Sequence, residues 1–419
     1  NVATPLEAYG SAPRAGRAAE LVERGPTLAP RPLAGGDGRA AVAFSGGKDS
    51  LVLTAMLAEL GVPTVLVTAT SPVEWSRDQI GNARQRALAG VVERLPVQLL
   101  EVTSDFRTCW TPDFAARDGC RLPVNQLTDL PFFQAVTVAA AAATGASRLF
   151  MASETDCQYS SVLEGRVVQH CEFVGSAATQ RALDALLSRF GMRQGSLTYP
   201  LHMPQVQALL WHRYPDLADL QFSCYQAPEG ERACSVCPKC FQIALVMVAE
   251  GVAPRELGID LAAALCSFGH WHLDAPTTYA APQLHPTRRP RHHVTRILQA
   301  VPSARIAALI EADPDGSGES AGREAIAVYE RLRGEALPLE LPPAPGYLGG
   351  YLELIAPDLR EGLRAIFEEH FAPAPGAEFA GMVQRSREFA NWVARPLGNP
   401  PGRRIRRSSR SVRAAVDAR

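Results

Sequence analysis

Between residues 39 and 152, short apolar runs alternate with longer stretches whose apolar positions recur every three or four residues. Residues 39–44 (RAAVAF), 64–68 (TVLVT), 97–103 (VQLLEVT) and 148–152 (RLFMA) read as buried strands. Residues 51–60, 79–95 and 131–144 carry helical spacing between them. Strands alternating with helices predict βαβ units and a doubly wound, mostly parallel α/β sheet covered on both faces. Ligands on such sheets bind beyond the carboxyl ends of the strands.

After residue 200 the pattern changes. Residues 205–212 predict a short helix, 222–240 a cysteine-bearing loop, and 241–250 another helix. Residues 269–296 are rich in Pro, His and Arg and read as a linker or surface wrap. Helical spacing returns at 303–312, 323–333, 351–370 and 378–393, with Pro/Gly segments 335–349 and 372–376 between. Residues 1–38, rich in Pro, Gly, Ala and Arg, predict an extension with one helix at 14–24. The segment 403–419 holds seven Arg against one Asp and reads as a disordered basic tail. No internal repeat is visible.

Composition narrows the classes. Of 419 residues, 47% are apolar and 20% charged, which suits a globular chain with a sizeable core. Lys plus Arg is 42 against 43 for Asp plus Glu, so a globally basic nucleic-acid binder and an acidic disordered chain are both disfavoured. The most apolar helical window, 134–145, is about twelve residues, short of the ~20 that a membrane span needs. Residues 1–38 lack a charged start followed by an apolar run, so no secretory signal is expected. Nine cysteines, four of them clustered, favour a metal in a reducing, cytoplasmic setting over a disulfide framework. Only two lysines occur, Lys48 and Lys239, and both lie inside the two motifs that carry chemistry.

The first motif is Ser45-Gly46-Gly47-Lys48-Asp49-Ser50, joining a predicted strand to a predicted helix. Gly46 and Gly47 let the backbone turn tightly and bring N–H groups to an anion, and the helix N-terminus adds donors and a positive dipole end. Ser45 and Ser50 offer hydroxyls and Lys48 a cation. Asp49 repels phosphate and is expected to cap the helix or to hold Mg²⁺. A Walker A loop is excluded, because Val42 stands at its first glycine and Asp49 follows the lysine. The second motif is Cys224, Cys234, Cys237 and Cys240, spaced C-x₉-C-x₂-C-x₂-C. Four thiolates close a tetrahedral Zn²⁺ shell of a structural kind. An iron–sulfur cluster is the rival, although the C-x₃-C-P element that usually follows is missing. Cys109, Cys120, Cys157, Cys171 and Cys266 are scattered and read as small buried hydrophobes, with Cys157 the one to test for reactivity.

The hexapeptide matches the SGGxDS loop of the ATP pyrophosphatase superfamily, which cleaves ATP between the α and β phosphates. With the Cys₄ loop it resembles the 7-cyano-7-deazaguanine synthase family over roughly residues 40–250. Residues 130–153, 198–210 and 223–245 share in that likeness. The resemblance implies an adenine nucleotide alpha-hydrolase-like sheet and adenylation of a 7-carboxy-7-deazaguanine-type acid, followed by amide and then nitrile formation. ATP and Mg²⁺ would be bound by Ser45, Gly46, Gly47, Asp49 and Ser50, with Lys48 neutralising charge on the phosphates. The backbone around Val67 and Thr68 would read adenine, and Zn²⁺ would be structural. Arg121, Asn125, Glu154 and Asp156 fall where relatives contact substrate or a second metal; helix caps and solvated loop acids are the plain alternative for the last two.

Departures surround the expected substrate pocket. The family's Gly-Tyr-Pro-Asp-Cys string is replaced by Ser153-Glu154-Thr155-Asp156-Cys157, its lysine after the fifth strand by Gln205 or Gln207, and its arginine after the last zinc cysteine by Gln242. Extra residues at 1–38 and 260–419 make the chain look like long relatives from antiviral islands and specialised metabolism. The implied segments are an extension (1–38), a PP-loop domain (39–221), a zinc segment (222–268), a helical region (269–400) and a basic tail (401–419). The helical region would recruit a partner protein as acyl acceptor or make an oligomer, with no membrane and no required nucleic acid. His285, His292 and His293 would sit on a solvated basic linker. A tRNA or small-molecule sulfurtransferase and a non-catalytic nucleotide-binding scaffold are the competing functions. A phosphosulfate reductase, which can carry the same hexapeptide, ranks low, because it needs a C-terminal catalytic cysteine and none follows Cys266.

Overall fold

A computed structural model of the chain describes residues 38–70, 82–103, 124–155, 160–163, 166–169, 177–224, 227–228, 230–270, 289–313, 316–340 and 346–374. All of them belong to one compact unit, 29–383; a second unit, 1–28 with 384–419, lies outside the described residues. The predicted helices at 14–24 and 378–393 and the basic tail lie there or in neighbouring undescribed stretches, as do Arg121, Asp156, Cys109, Cys120, Cys157, Cys171, His285 and most of the segment 269–288.

The expected α/β architecture is present. Strands β1 (Ala40–Ala43), β2 (Thr64–Thr70), β3 (Val97–Thr103) and β4 (Arg148–Met151) stand where the sequence places them, while an antiparallel hairpin of β5 (Ser160–Leu163) and β6 (Arg166–Gln169), and then β7 (Arg193–Gly195), are additional. Five form one sheet in the order β3-β2-β1-β4-β7, and every neighbouring pair is parallel. The chain winds outward from β1 through β2 to β3, then returns to the other side of β1 at β4. That reversal puts a topological switch point, the usual ligand crevice of such sheets, between β1 and β4.

Alternation along β1 and β2 fills both faces. Ala40, Val42 and Leu66 join α1 (Lys48–Glu59) in one core, while Ala41, Val65 and Val67 pack with Ala140 and Ala141 of α3 (Val124–Thr144) on the other face. Helices α2 (Asn82–Arg94) and α4 (Ala177–Ser188) complete the cover. Nearly every residue of α1 from Ser50 to Leu57 is buried, because α5 (Met203–His212) packs over the face that the sheet leaves open. Burying a Leu or Met side chain there is worth about 1.5–3 kcal/mol each. The glycine loop is therefore attached to a helix with little freedom to shift.

The remaining elements are the short α6 (Pro215–Ala218), α7 (Pro238–Glu250), a 3₁₀ turn at Pro254–Leu257, α8 (Leu261–Cys266), α9 (Arg289–Ala300), α10 (Ser303–Glu311), α11 (Glu319–Ala336), a second 3₁₀ turn at Gly349–Leu354 and α12 (Pro357–Glu368). Three expectations need correction. The basic stretch read as a linker through residue 296 is helical from Arg289: Val294, Ile297, Leu298 and Val301 are buried at helical spacing, and Pro290 stands in the first turn, where it is tolerated. His293, expected on a solvated linker, is buried with its ring 5.2 Å from that of His202. The single helix expected at 351–370 is two elements, broken where Pro357 starts α12.

Helices α7 to α11 share one apolar core, in which Leu245, Met247, Leu265, Leu298, Tyr329 and Leu332 are buried. The last segment returns to the sheet. Leu352, Ile355, Leu359, Leu363, Ile366 and Phe367 belong to the same core as Ala40, Val42 and Leu51. Arg213 joins α1 to the end of α12 by bonding Glu59 at 2.6 Å and also Glu369.

Candidate functional site

The glycine loop leaves the carboxyl end of β1 beside the switch point. Phe44 N–H donates to Val67 O at 2.9 Å, keeping the chain on the sheet until the loop begins. Gly46 then takes φ +78°, the left-handed region that favours glycine, and a Cβ there would lie 3.4 Å from Ala87 Cβ. Gly47 is the N-cap of α1, and no side chain caps that helix end. The two serines fold the loop around itself: their Oγ atoms are 3.3 Å apart, and Ser50 Oγ donates to Gly47 O at 3.0 Å. Ser45 is exposed, whereas Ser50 is buried.

Lys48 has two acidic partners. Its side chain is only 9% exposed, and its Nζ donates to Asp49 Oδ1 at 2.6 Å and to Glu154 Oε2 at 2.7 Å. Burial alone would lower the ammonium's pKa, but the two carboxylates override it and hold the pKa well above its usual value. Lys48 thus pins two acids across the crevice, from α1 to the segment after β4. Among the described residues, one ammonium against two carboxylates leaves this trio with a net negative charge. Glu154 itself is fixed by its neighbours. Ser153 N–H donates to Ser196 Oγ at 2.9 Å, Thr155 N–H to Leu201 O at 2.8 Å, and Thr155 Oγ1 to Tyr199 O.

Val67 and Thr68 were expected at a strand end, but β2 runs on to Thr70 and both are buried within the ladder, Thr68 opposite Glu101. Val67 O is taken by Phe44, while Thr68 Oγ1 is buried without a hydrogen-bond partner among the described residues. Asn125 stands in the first turn of α3, which begins at Val124 rather than at Pro131. Gln205 and Gln207 both have structural partners: Gln205 Oε1 accepts from His202 N–H at 2.9 Å, and Gln207 pairs with Gln221.

The four cysteines converge. Their sulfurs all lie within 4.8 Å of one another, and Cys224–Cys237, Cys234–Cys240 and Cys237–Cys240 are 3.9, 3.9 and 3.5 Å apart. A tetrahedron with Zn–S bonds of ~2.3 Å has sulfurs about 3.8 Å apart, so the donor set fits zinc in number, chemistry and spacing. Local structure makes this possible. Ser235 takes φ +60° to turn the chain, and Cys237 caps α7, placing Cys240 in its first turn. Hydrogen bonding from Cys224 and Cys240 pulls the Cys237 thiol down, while hydrogen bonds to Cys224 and Cys237, with burial, push Cys240 up. The four sulfurs thus compete for protons, and a bound cation would relieve that competition. A metal here would be enclosed by sulfur, with Cys224, Cys237 and Cys240 buried in the helical core, and would hold structure.

The cysteine segment also touches the glycine loop, a junction that the sequence motifs do not reveal. Phe222 N–H donates to Gly46 O at 2.8 Å, and a Cβ on Gly47 would meet Phe222 O at 3.7 Å and Ser223 Oγ at 4.0 Å. Gln207 Nε2 donates to Gln221 Oε1 at 2.7 Å, and Gln221 Nε2 donates on to Ser223 Oγ at 3.0 Å. The nearest signal in the sequence is that Ser223 immediately precedes Cys224.

No family model and no curated protein matches the chain. Among solved structures, it is similar to a protein from Methanocaldococcus jannaschii described as a predicted subunit of tRNA methyltransferase, at 14% identity and a TM-score of 0.27, over 52% of this chain and 90% of that one. No helix among the described residues is long and apolar enough to cross a membrane.

Proposed function

We propose that the chain is an ATP pyrophosphatase that adenylates a carboxylate and passes the acyl group to an amine. The observation that carries this reading is the position of the SGGKDS loop at the carboxyl end of the central strand, at the switch point, with the acids Asp49 and Glu154 held across the crevice by Lys48. A carboxylate oxygen of the acid attacks the α-phosphorus of ATP as the bond to the bridging oxygen breaks and pyrophosphate leaves. An amine then attacks the acyl carbon, forms the C–N bond, loses a proton and expels AMP. The loop's work is positioning and electrostatic stabilisation. Amides from Gly47 onward and the hydroxyls of Ser45 and Ser50 receive the departing β- and γ-phosphates. The backbone around Val67 and Thr68 is the part of β2 that this reading assigns to adenine.

Asp49 and Glu154 are the pair that would hold Mg²⁺, which when bound neutralises phosphate charge. The acid we favour is of the 7-deazaguanine type and the acceptor is ammonia or a protein amine, on the strength of the loop and Cys₄ resemblance. Arg121, Asn125 and Asp156 are the further substrate contacts that this reading assigns. The segments 39–221, 222–268 and 269–400 would divide catalysis, metal binding and partner docking, in a cytoplasmic enzyme serving an antiviral or specialised-metabolism role.

The test is Asp49→Asn. Asparagine keeps an oxygen for Lys48 to bond, so circular dichroism and zinc content should match the wild type. Release of AMP and pyrophosphate from ATP with 7-carboxy-7-deazaguanine should be abolished. Retained pyrophosphate release would remove Asp49 from the mechanism, and wild-type protein that takes up no ATP in calorimetry would remove the mechanism itself.

A further inference from the structure

We propose, resting on the reading of the glycine loop as a polyphosphate cradle, that Ser223 is a further phosphate-contacting residue, supplied by the cysteine segment and aimed by the Gln207–Gln221 amide pair. Three observations converge on it. Ser223 Oγ lies 4.0 Å from the position a Cβ would take on Gly47, so the hydroxyl stands over the residue whose lack of a side chain opens the loop to an anion. Gln221 Nε2 donates to Ser223 Oγ at 3.0 Å, so the serine oxygen is used as an acceptor and its proton is left to donate. Gln221 is itself locked, because Gln207 Nε2 donates to it at 2.7 Å and Gln221 Nε2 donates back to Gln207 Oε1 at 3.2 Å, with both amides buried.

The placement depends on the metal site. Ser223 stands between Phe222, whose N–H donates to Gly46 O at 2.8 Å, and Cys224, whose Sγ accepts from Cys234 N–H at 3.3 Å and is 3.9 Å from Cys237 Sγ. A cation bound by the four thiolates fixes one end of this three-residue span, and the glycine loop fixes the other. The cysteine cluster therefore does more than stabilise the helical core: it holds the second wall of the anion site. Ser223 contacts the phosphate directly, while Gln207, Gln221 and the metal position it.

The experiment measures pyrophosphate and ATP binding by calorimetry on the full chain, with zinc content determined on the same samples. Ser223→Ala removes a hydrogen bond to a charged group and should weaken pyrophosphate binding roughly 10- to 100-fold. Ser223→Thr, which keeps the hydroxyl, should restore affinity to within a few-fold. Gln221→Leu should weaken binding in the same direction by a smaller factor, and all three variants should retain zinc. Ser223→Ala with wild-type affinity, or with affinity lost only because zinc is lost, overturns the assignment. Wild-type protein that binds neither anion overturns the cradle reading instead, and the two failures are distinguishable.

Discussion

Replacing Glu154 by Gln tests the charge balance of the crevice directly. The amide oxygen can still accept from Lys48 Nζ, which now sits 2.7 Å from Glu154 Oε2, so the bridge between α1 and the segment after β4 should persist. The change is electrostatic: one ammonium facing two carboxylates becomes one ammonium facing one, and the net charge of this described trio rises from −1 to neutral. A unit charge ~6 Å from a bound phosphate contributes about 1–3 kcal/mol for an effective dielectric between ~80 and ~20. Glu154 is 15% exposed, which places it toward the lower-dielectric end of that range. In magnesium-free buffer, Glu154→Gln should therefore bind pyrophosphate roughly 5- to 100-fold more tightly than wild type, since each ~1.4 kcal/mol is tenfold. With magnesium the order should reverse for catalysis, because one of the two acids proposed to hold the ion is gone, and AMP formation should fall. Calorimetry with and without magnesium, at unchanged circular dichroism, reads both effects. Unchanged or weaker magnesium-free binding would refute the view that Glu154 guards the anion site.

Two further outcomes follow from the same geometry. Cys240→Ser should take zinc stoichiometry from about one toward zero, and since Cys240 is buried in the core of α7 to α11, the thermal midpoint should fall as well; full zinc retention would show that the cluster is not the ligand set. Hydrogen bonds from Arg213, opposed by burial and aided by Tyr214, hold the Glu59 carboxyl below its usual value near 4.5. Stability from that lowered group is present above about pH 4.5 and is lost as pH falls through the lower folded value. Denaturant curves of wild type and Arg213→Met should therefore differ by up to ~1 kcal/mol at pH 7, a partly exposed pair being worth little more, and should converge once the pH is below the lowered folded value. A gap that persists in acid would mean that Arg213 acts through packing.

The central strands, the glycine loop and the cysteine set were legible because each carries its own local signal. RAAVAF and TVLVT are apolar enough to be strands in isolation, and four cysteines in seventeen residues announce one another. Strand β7 is Arg-Gln-Gly, with no β-branched or aromatic residue, and is a strand only because β4 pairs with it. Helix α9 was hidden by its run of arginines and histidines in the sequence, although Val294, Ile297 and Leu298 mark a buried face. At the site, the sequence gives residue types but not their partners. Lys48 beside a glycine loop reads as a phosphate cation, and its bond to Glu154, far along the chain, has no signal in the sequence. The Phe222–Gly46 bond joins the two motifs through backbone atoms, which no side-chain pattern encodes.

The return of the last helix to the first strand has a consequence for how the molecule is made. The core that Leu359, Leu363 and Phe367 share with β1 and α1 stays incomplete until those residues leave the ribosome. At ~5–20 residues per second, the stretch from Ala40 to Phe367 takes on the order of 15–60 s to synthesise. For that interval the nascent chain carries an uncapped greasy surface. Trimming the chain after the cysteine segment, which motif boundaries alone would invite, would make that transient hazard permanent and yield aggregates rather than a minimal enzyme.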